Sequence, residues 1–98
     1  MEFDSETLEI IEKAAYVGFD VDAVAHLIGI TPEAFELLFI NQSHPGVIAY
    51  HKGFYQAEFD LRTAEMSSAL SGSQPAQEGM KKHLLKAASK LKEVKGNG

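Results

Sequence analysis

The 98-residue sequence contains no cysteine. Neither a disulfide framework nor a thiolate metal site can therefore form, which fits a reducing compartment. No apolar run reaches the ~18 residues of a membrane span. The first ten residues, MEFDSETLEI, are acidic and polar, so no signal or transit peptide is expected and the expected location is cytoplasmic. No alternating apolar–polar run bounded by turns is present, which argues against strands. Glycines such as Gly29, Gly46 and Gly53 are isolated, so no phosphate-cradling loop exists.

Positive charge is scarce in one half. Residues 1–44 hold nine acids (Glu2, Asp4, Glu6, Glu9, Glu12, Asp20, Asp22, Glu33 and Glu36) and a single base, Lys13. Residues 45–98 hold eight bases and five acids, and six of the bases are the lysines at 81, 82, 86, 90, 92 and 95. The net charge of −5 thus hides an acidic head and a basic tail. Such polarity suits head-to-tail contacts, an anionic partner for the tail, or two solvated helix faces.

Enzymatic chemistry finds little support. The four histidines (His26, His44, His51 and His83) show no close ligand spacing, so surface or capping roles are expected and no metal or other cofactor is. Serines cluster in turns, where capping explains them. Acid pairs such as Glu9 with Glu12 and Glu33 with Glu36 lie at i, i+3 on short helices with no evident cleft, so solvation explains them better than acid–base catalysis. The chain is expected not to be an enzyme.

What is present is helical periodicity, and the reading is an all-α fold. Val21–Ile40 (VDAVAHLIGITPEAFELLFI) has the spacing of a helix-turn-helix. Ala25 is small enough for two helices to cross closely. Gly29 supplies a positive φ in the turn. Thr31 is placed to cap the second helix, with Pro32 at its first position and Glu33 in its first turn. Ile30, Phe35 and Leu38 should face the core, as should Phe19 after the first helix. That first helix is read over Ser5–Val17, capped by Asp4 or Ser5 and ended by Gly18. The next two are read over Val21–Ile28, capped by Asp20, and Pro32 to about Ile40.

Asn41–Gly46 breaks the pattern, and a long helix follows to about Leu70. Val47, Tyr50, Phe54, Ala57, Leu61 and Ala64 step three and four residues at a time, a coiled-coil-like seam. Ile48, Tyr55, Phe59, Met66 and Leu70 form a second stripe. Gly53 inside this helix marks a close contact, a bend or a tolerated weakness, since glycine costs about 1 kcal/mol relative to alanine there. A turn at 71–75, with Ser73 as cap, leads to a last helix over Gln74–Val94 whose apolar stripe is Met80, Leu84, Ala87 or Ala88, Leu91 and Val94. A turn so short implies an antiparallel hairpin. Residues 95–98 are expected to be disordered. The expected organisation is a headpiece at 1–44, an oligomerising hairpin at 45–94 and a tail.

A helix apolar on two sides needs two partners, so self-association is expected through Tyr50, Phe54, Tyr55, Phe59, Leu61 and Met66. Leu37, Phe39 and Ile40 are alternatively read as docking onto the long helix. Lys82, Lys86 and Lys90 recur at i, i+4, i+8, and with Lys81 are the candidates for phosphate contact.

The residues Ala25–Ile30 (AHLIGI), Ala49-Tyr-His-Lys-Gly53, Ala57, Leu61 and the segment 68–77 (SALSGSQPAQ) together resemble the small terminase subunits of tailed bacteriophages. The resemblance covers roughly residues 5–93 and its motifs are short. It implies a non-enzymatic protein that recognises viral DNA, assembles through its helical hairpin and regulates a large terminase subunit in the bacterial host cytoplasm. Carried onto this chain, Val21–Ile40 is the DNA-facing headpiece, with Thr31, Glu33 and Glu36 outward and Leu37 and Ile40 as further outward candidates, and Gly46–Val94 is the oligomerising hairpin. One departure matters: the second headpiece helix offers Glu33 and Glu36 where phosphates need positive charge. Two further readings stay open. One is a helix-turn-helix transcription regulator; the other is a protein-interaction module whose acidic face binds a basic partner.

Overall fold

The computed structural model describes residues 1–96. The protein is all-α, with helices α1 (Ser5–Tyr16), α2 (Val21–Ile28), α3 (Pro32–Leu38), α4 (Pro45–Leu70) and α5 (Gln74–Gly96) and no strand among the described residues. It divides into two compact units, residues 1–59 and residues 60 onward, so the division falls inside α4. The first half of α4 packs with the headpiece.

Local chemistry sets the helix boundaries of the first unit. Asp4 caps α1 by accepting from the Thr7 N–H at 2.7 Å. Bonds from the Thr7 backbone and side chain hold the Asp4 carboxyl below its usual range. Phe3 precedes that cap and Leu8 follows it four residues on, the spacing of a hydrophobic staple, and both pack on the core. Asp20 caps α2 through the Ala23 N–H at 2.8 Å. Thr31 caps α3 through the Ala34 N–H at 3.1 Å. Between α2 and α3, Gly29 has φ +79° and the Ile30 N–H closes on the Ala25 carbonyl at 3.1 Å. This is a left-handed helix stop that a side chain at Gly29 would strain. Gly18 ends α1 the same way, with the Phe19 N–H on the Ala14 carbonyl at 3.0 Å.

The core of this unit gathers Ile11 and Ala14 from α1, Val24 and Ala25 from α2, Phe35 from α3 and Ala49 from α4. Phe35 is fully buried. Its ring meets Phe39 at 5.4 Å, Tyr50 at 6.4 Å and Phe3 at 6.5 Å, all edge to face. Two expectations are corrected. Phe19 does not plug the core: it is 41% exposed, and only its backbone is held, its carbonyl accepting from the Tyr50 hydroxyl at 2.9 Å. Phe35, with Phe3 packed beside it, supplies the aromatic core. α3 also stops at Leu38, because Phe39 turns inward as the C-cap and the segment behind it closes on itself through Asn41. His44 then starts α4. Its Nδ1 accepts from the Gly46 N–H at 3.0 Å, so Nε2–H donates to the Met1 carbonyl at 2.7 Å.

Gly53 is a close-contact glycine. A Cβ there would collide with the Glu12 carbonyl oxygen and sit 3.2 Å from the Ala15 Cβ. The backbones of α1 and α4 approach over two small residues, Ala15 and Gly53, both buried. In the second unit α4 and α5 run antiparallel. The Gln77 side chain donates to the Ala69 carbonyl at 3.0 Å, and His83 Nε2 pairs with Glu65 Oε1 at 3.2 Å. Ser73 caps α5, with the Ala76 N–H 3.4 Å from its hydroxyl. α5 continues through Lys95 and Gly96, so these are helical rather than disordered, and residues 97–98 lie outside the described residues.

Two glycines give opposite expectations. Gly53→Ala gains about 1 kcal/mol of helix propensity but meets an immovable backbone oxygen, an overpacking penalty of about 1–3 kcal/mol. Gly79→Ala meets only the Glu65 carboxylate, which can swing away. Thermal melts followed by circular dichroism should show Gly53→Ala several degrees below wild type and Gly79→Ala level with it or above. A Gly53→Ala protein as stable as wild type would contradict the close backbone contact.

Candidate assembly and anion-contact surfaces

Three exposed surfaces carry chemistry, and each follows from helical spacing. The first is the outer face of α3. Glu33, Glu36, Leu37 and Ile40 fall at i, i+3, i+4 and i+7, so they share one stripe that runs just past the helix end, and all four are exposed. Leu37 is 65% and Ile40 82% exposed, so neither docks onto the long helix, whereas Phe39 does, against Tyr50 at 5.7 Å and His51 at 5.7 Å. Glu36 lies against Asp22 of α2. A hydrogen bond with Asp22 first, then the charges of Asp22 and Glu33, push the Glu36 carboxyl above its usual range. Thr31 is exposed at the start of this face, and its hydroxyl oxygen is engaged in capping.

The second surface is the middle of α4. Tyr50, expected at an interface between copies, packs inside the first unit, and its hydroxyl is held up in pKa by burial and then by the Asp20 charge. Phe54, Tyr55 and Phe59 are exposed, and so is Leu61 in the second unit. Met66 is half-buried. Beside this run, Glu12, Lys13, Tyr16, Val17, Gly53 and Gln56 line an open groove of about 340 Å³ with mostly apolar walls. Lys52 reaches Glu12 at 3.8 Å across its edge, an exposed pair worth little in stability.

The third surface is α5. Met80 is its only buried side chain among the described residues. Leu84, Leu91 and Val94 of the expected apolar stripe are each more than half exposed, and Leu85, outside that stripe, is 70% exposed. Lys81, Lys82, Lys86 and Lys90 are all exposed, and successive members of the 82, 86, 90 row rise about 6 Å along the axis. Lys90 lies 3.9 Å from Glu93 on the surface. No group of three or more histidines and carboxylates among the described residues could hold a metal ion. Nor is any helix among them long and apolar enough to cross a membrane.

The structure thus groups the lysine candidates on one helix and separates them in sequence from the acidic stripe. On α3, Leu37 and Ile40 stand outward beside Glu33 and Glu36, one of the two placements open to them from the sequence, whereas the exposed Leu85 beside lysines on α5 lies outside the expected apolar stripe. The signal for Leu85 is there in the i, i+3, i+4 spacing, but exposure decides it. Comparison with protein-family models gives no match, and neither the curated proteins nor the solved structures yield one.

Glu36 makes a pH prediction. A carboxyl whose folded pKa is raised binds its proton more tightly when folded, so its contribution to stability grows on acidification and is lost as pH rises through that range. Glu36→Gln removes the repulsion with Asp22 permanently. The variant should melt above wild type near neutral pH, and the gap should close as the pH falls through the raised titration range of Glu36. A gap independent of pH would assign the effect to something other than this charge.

Proposed function

We propose that this protein is a non-enzymatic DNA-contacting assembly protein of the small-terminase type. In this reading it self-associates through its exposed helical surfaces, contacts DNA weakly per copy through Lys81, Lys82, Lys86 and Lys90, and in a phage context regulates the large packaging subunit. The observation that carries it is α5: a 23-residue helix with one buried side chain, bearing exposed leucines and a row of exposed lysines. A helix so little covered within its own chain calls for a partner. A lysine row calls for an anion.

The α2–turn–α3 geometry supports a helix-turn-helix type headpiece through the Gly29 stop, the Thr31 cap and buried Ala25 at the crossing. Its acidic outer face argues against α3 as an independent base reader, which weakens the transcription-regulator alternative. That same face favours one second reading, a protein-interaction module. Specific capture of a basic protein partner with no DNA affinity at any salt concentration would select it.

Two measurements test the leading reading. Light scattering at micromolar concentration should give a mass above the monomer, and a strict monomer removes the assembly part. In a salt-titrated mobility-shift assay, wild type should bind duplex DNA at low salt. Lys82→Glu/Lys86→Glu should bind more weakly on every sequence, with the log–log salt slope reduced by about 2. Absence of any wild-type shift at low salt removes the DNA contact.

A further inference from the structure

The self-association proposed above leaves open which surfaces meet, and the charge pattern decides between the possibilities. On α3, Leu37 is 65% exposed and Ile40 82% exposed, with Glu33 one turn before Leu37 and Glu36 beside it. On α5, Leu85 is 70% exposed, with Lys81 and Lys82 one turn before it and Lys86 beside it. Each face therefore presents an apolar knob ringed by charge of one sign, negative on α3 and positive on α5. Pairing α5 with α5 would set lysines against lysines. Pairing α3 with α3 would set Glu33 and Glu36 against their own copies, next to an Asp22 that already repels Glu36. Like charges juxtaposed in a contact cost several kcal/mol, so both symmetric pairings are disfavoured by the side chains that flank the leucines. Only the unlike pairing buries both apolar knobs and neutralises both rings.

We infer that the α3 face of one copy docks on the α5 face of a second copy, with Leu37 and Ile40 against Leu85 and with Glu33 and Glu36 against Lys81 and Lys82. The contact is heterologous: each copy uses a different surface from its partner. A pair so formed still has one α3 face and one α5 face unused, so assembly continues beyond two copies until it closes or runs on. The docking also uses the lysines that the proposed DNA contact needs. Acidic heads and phosphates then compete for α5, and DNA binding loosens this contact between copies.

A charge-swap experiment tests the docking, with the full chain and with circular dichroism as the folding control. Glu33→Lys/Glu36→Lys and Lys81→Glu/Lys82→Glu each set like charges against one another in every α3–α5 contact. Light scattering should show each variant alone associating about tenfold or more weakly than wild type. In an equimolar mixture, the lysine-bearing head of one variant meets the glutamate-bearing tail of the other, so association should return. Leu37→Ser, which leaves the charges in place, should also weaken association. If wild type assembles and every variant assembles equally well, the docking is overturned while the self-association reading stands. If each variant is weakened but the mixture is not rescued, the charges act elsewhere and the docking is likewise overturned. A strictly monomeric wild type overturns both.

Discussion

The burial of Phe35 is the interaction on which the first unit depends. α2 and α3 have eight and seven residues, well below the ~12–15 at which an isolated helix becomes even marginal in water. They persist because Phe35 projects from α3 into a space closed by Phe3 before α1, by Phe39 at the end of α3 and by Tyr50 on α4. Truncating such a side chain typically costs 3–5 kcal/mol, a large part of the ~5–15 kcal/mol that holds a small domain folded. The cluster also explains why the unit extends to residue 59. Tyr50 and the Ala15–Gly53 approach bring the first half of α4 into the headpiece rather than leaving it free.

The second unit is built differently. Near its turn Ala69 and Met80 are buried, and Gln77 and His83 reach across to α4. Beyond His83 every described residue of α5 is exposed. This asymmetry gives the surfaces their functional weight. Exposed leucines interleaved with lysines put apolar area and positive charge on one helix. In the proposed reading, the same lysines suit an acidic or phosphate partner and disfavour pairing between two copies of α5.

Much of the local structure was legible in the residues. The caps at Asp4, Asp20, Thr31 and Ser73 and the stops at Gly18 and Gly29 form through contacts three to five residues apart, so spacing alone reveals them. Phe3 was legible in principle, since an apolar residue just before a cap and another at Leu8 form a staple. Phe19 was not. It follows a glycine stop just as Ile30 does, yet Ile30 packs on the core and Phe19 stands 41% exposed. The two positions look alike in local spacing, and burial depends on residues far along the chain. For the candidate surfaces, the lysine row was visible from its spacing. The exposure of the leucines beside it was not, because an apolar stripe looks the same whether or not a partner covers it.

The helical class, the helix starts, the glycine-stopped turns and the separation of acidic from basic residues all follow from the order of residues alone. These depend on backbone preference, short-range hydrogen bonds and composition, all written locally. The tertiary structure decided which apolar residues are spent and which remain available. Phe39 and Tyr50 turned inward, Leu37, Ile40 and Leu85 stayed out, and Gly53 became a contact rather than a bend. Burial is a property of pairs far apart in the chain. It therefore appears only when α1 and α4 have met across Ala15 and Gly53, and when the ring of Phe35 has found its neighbours.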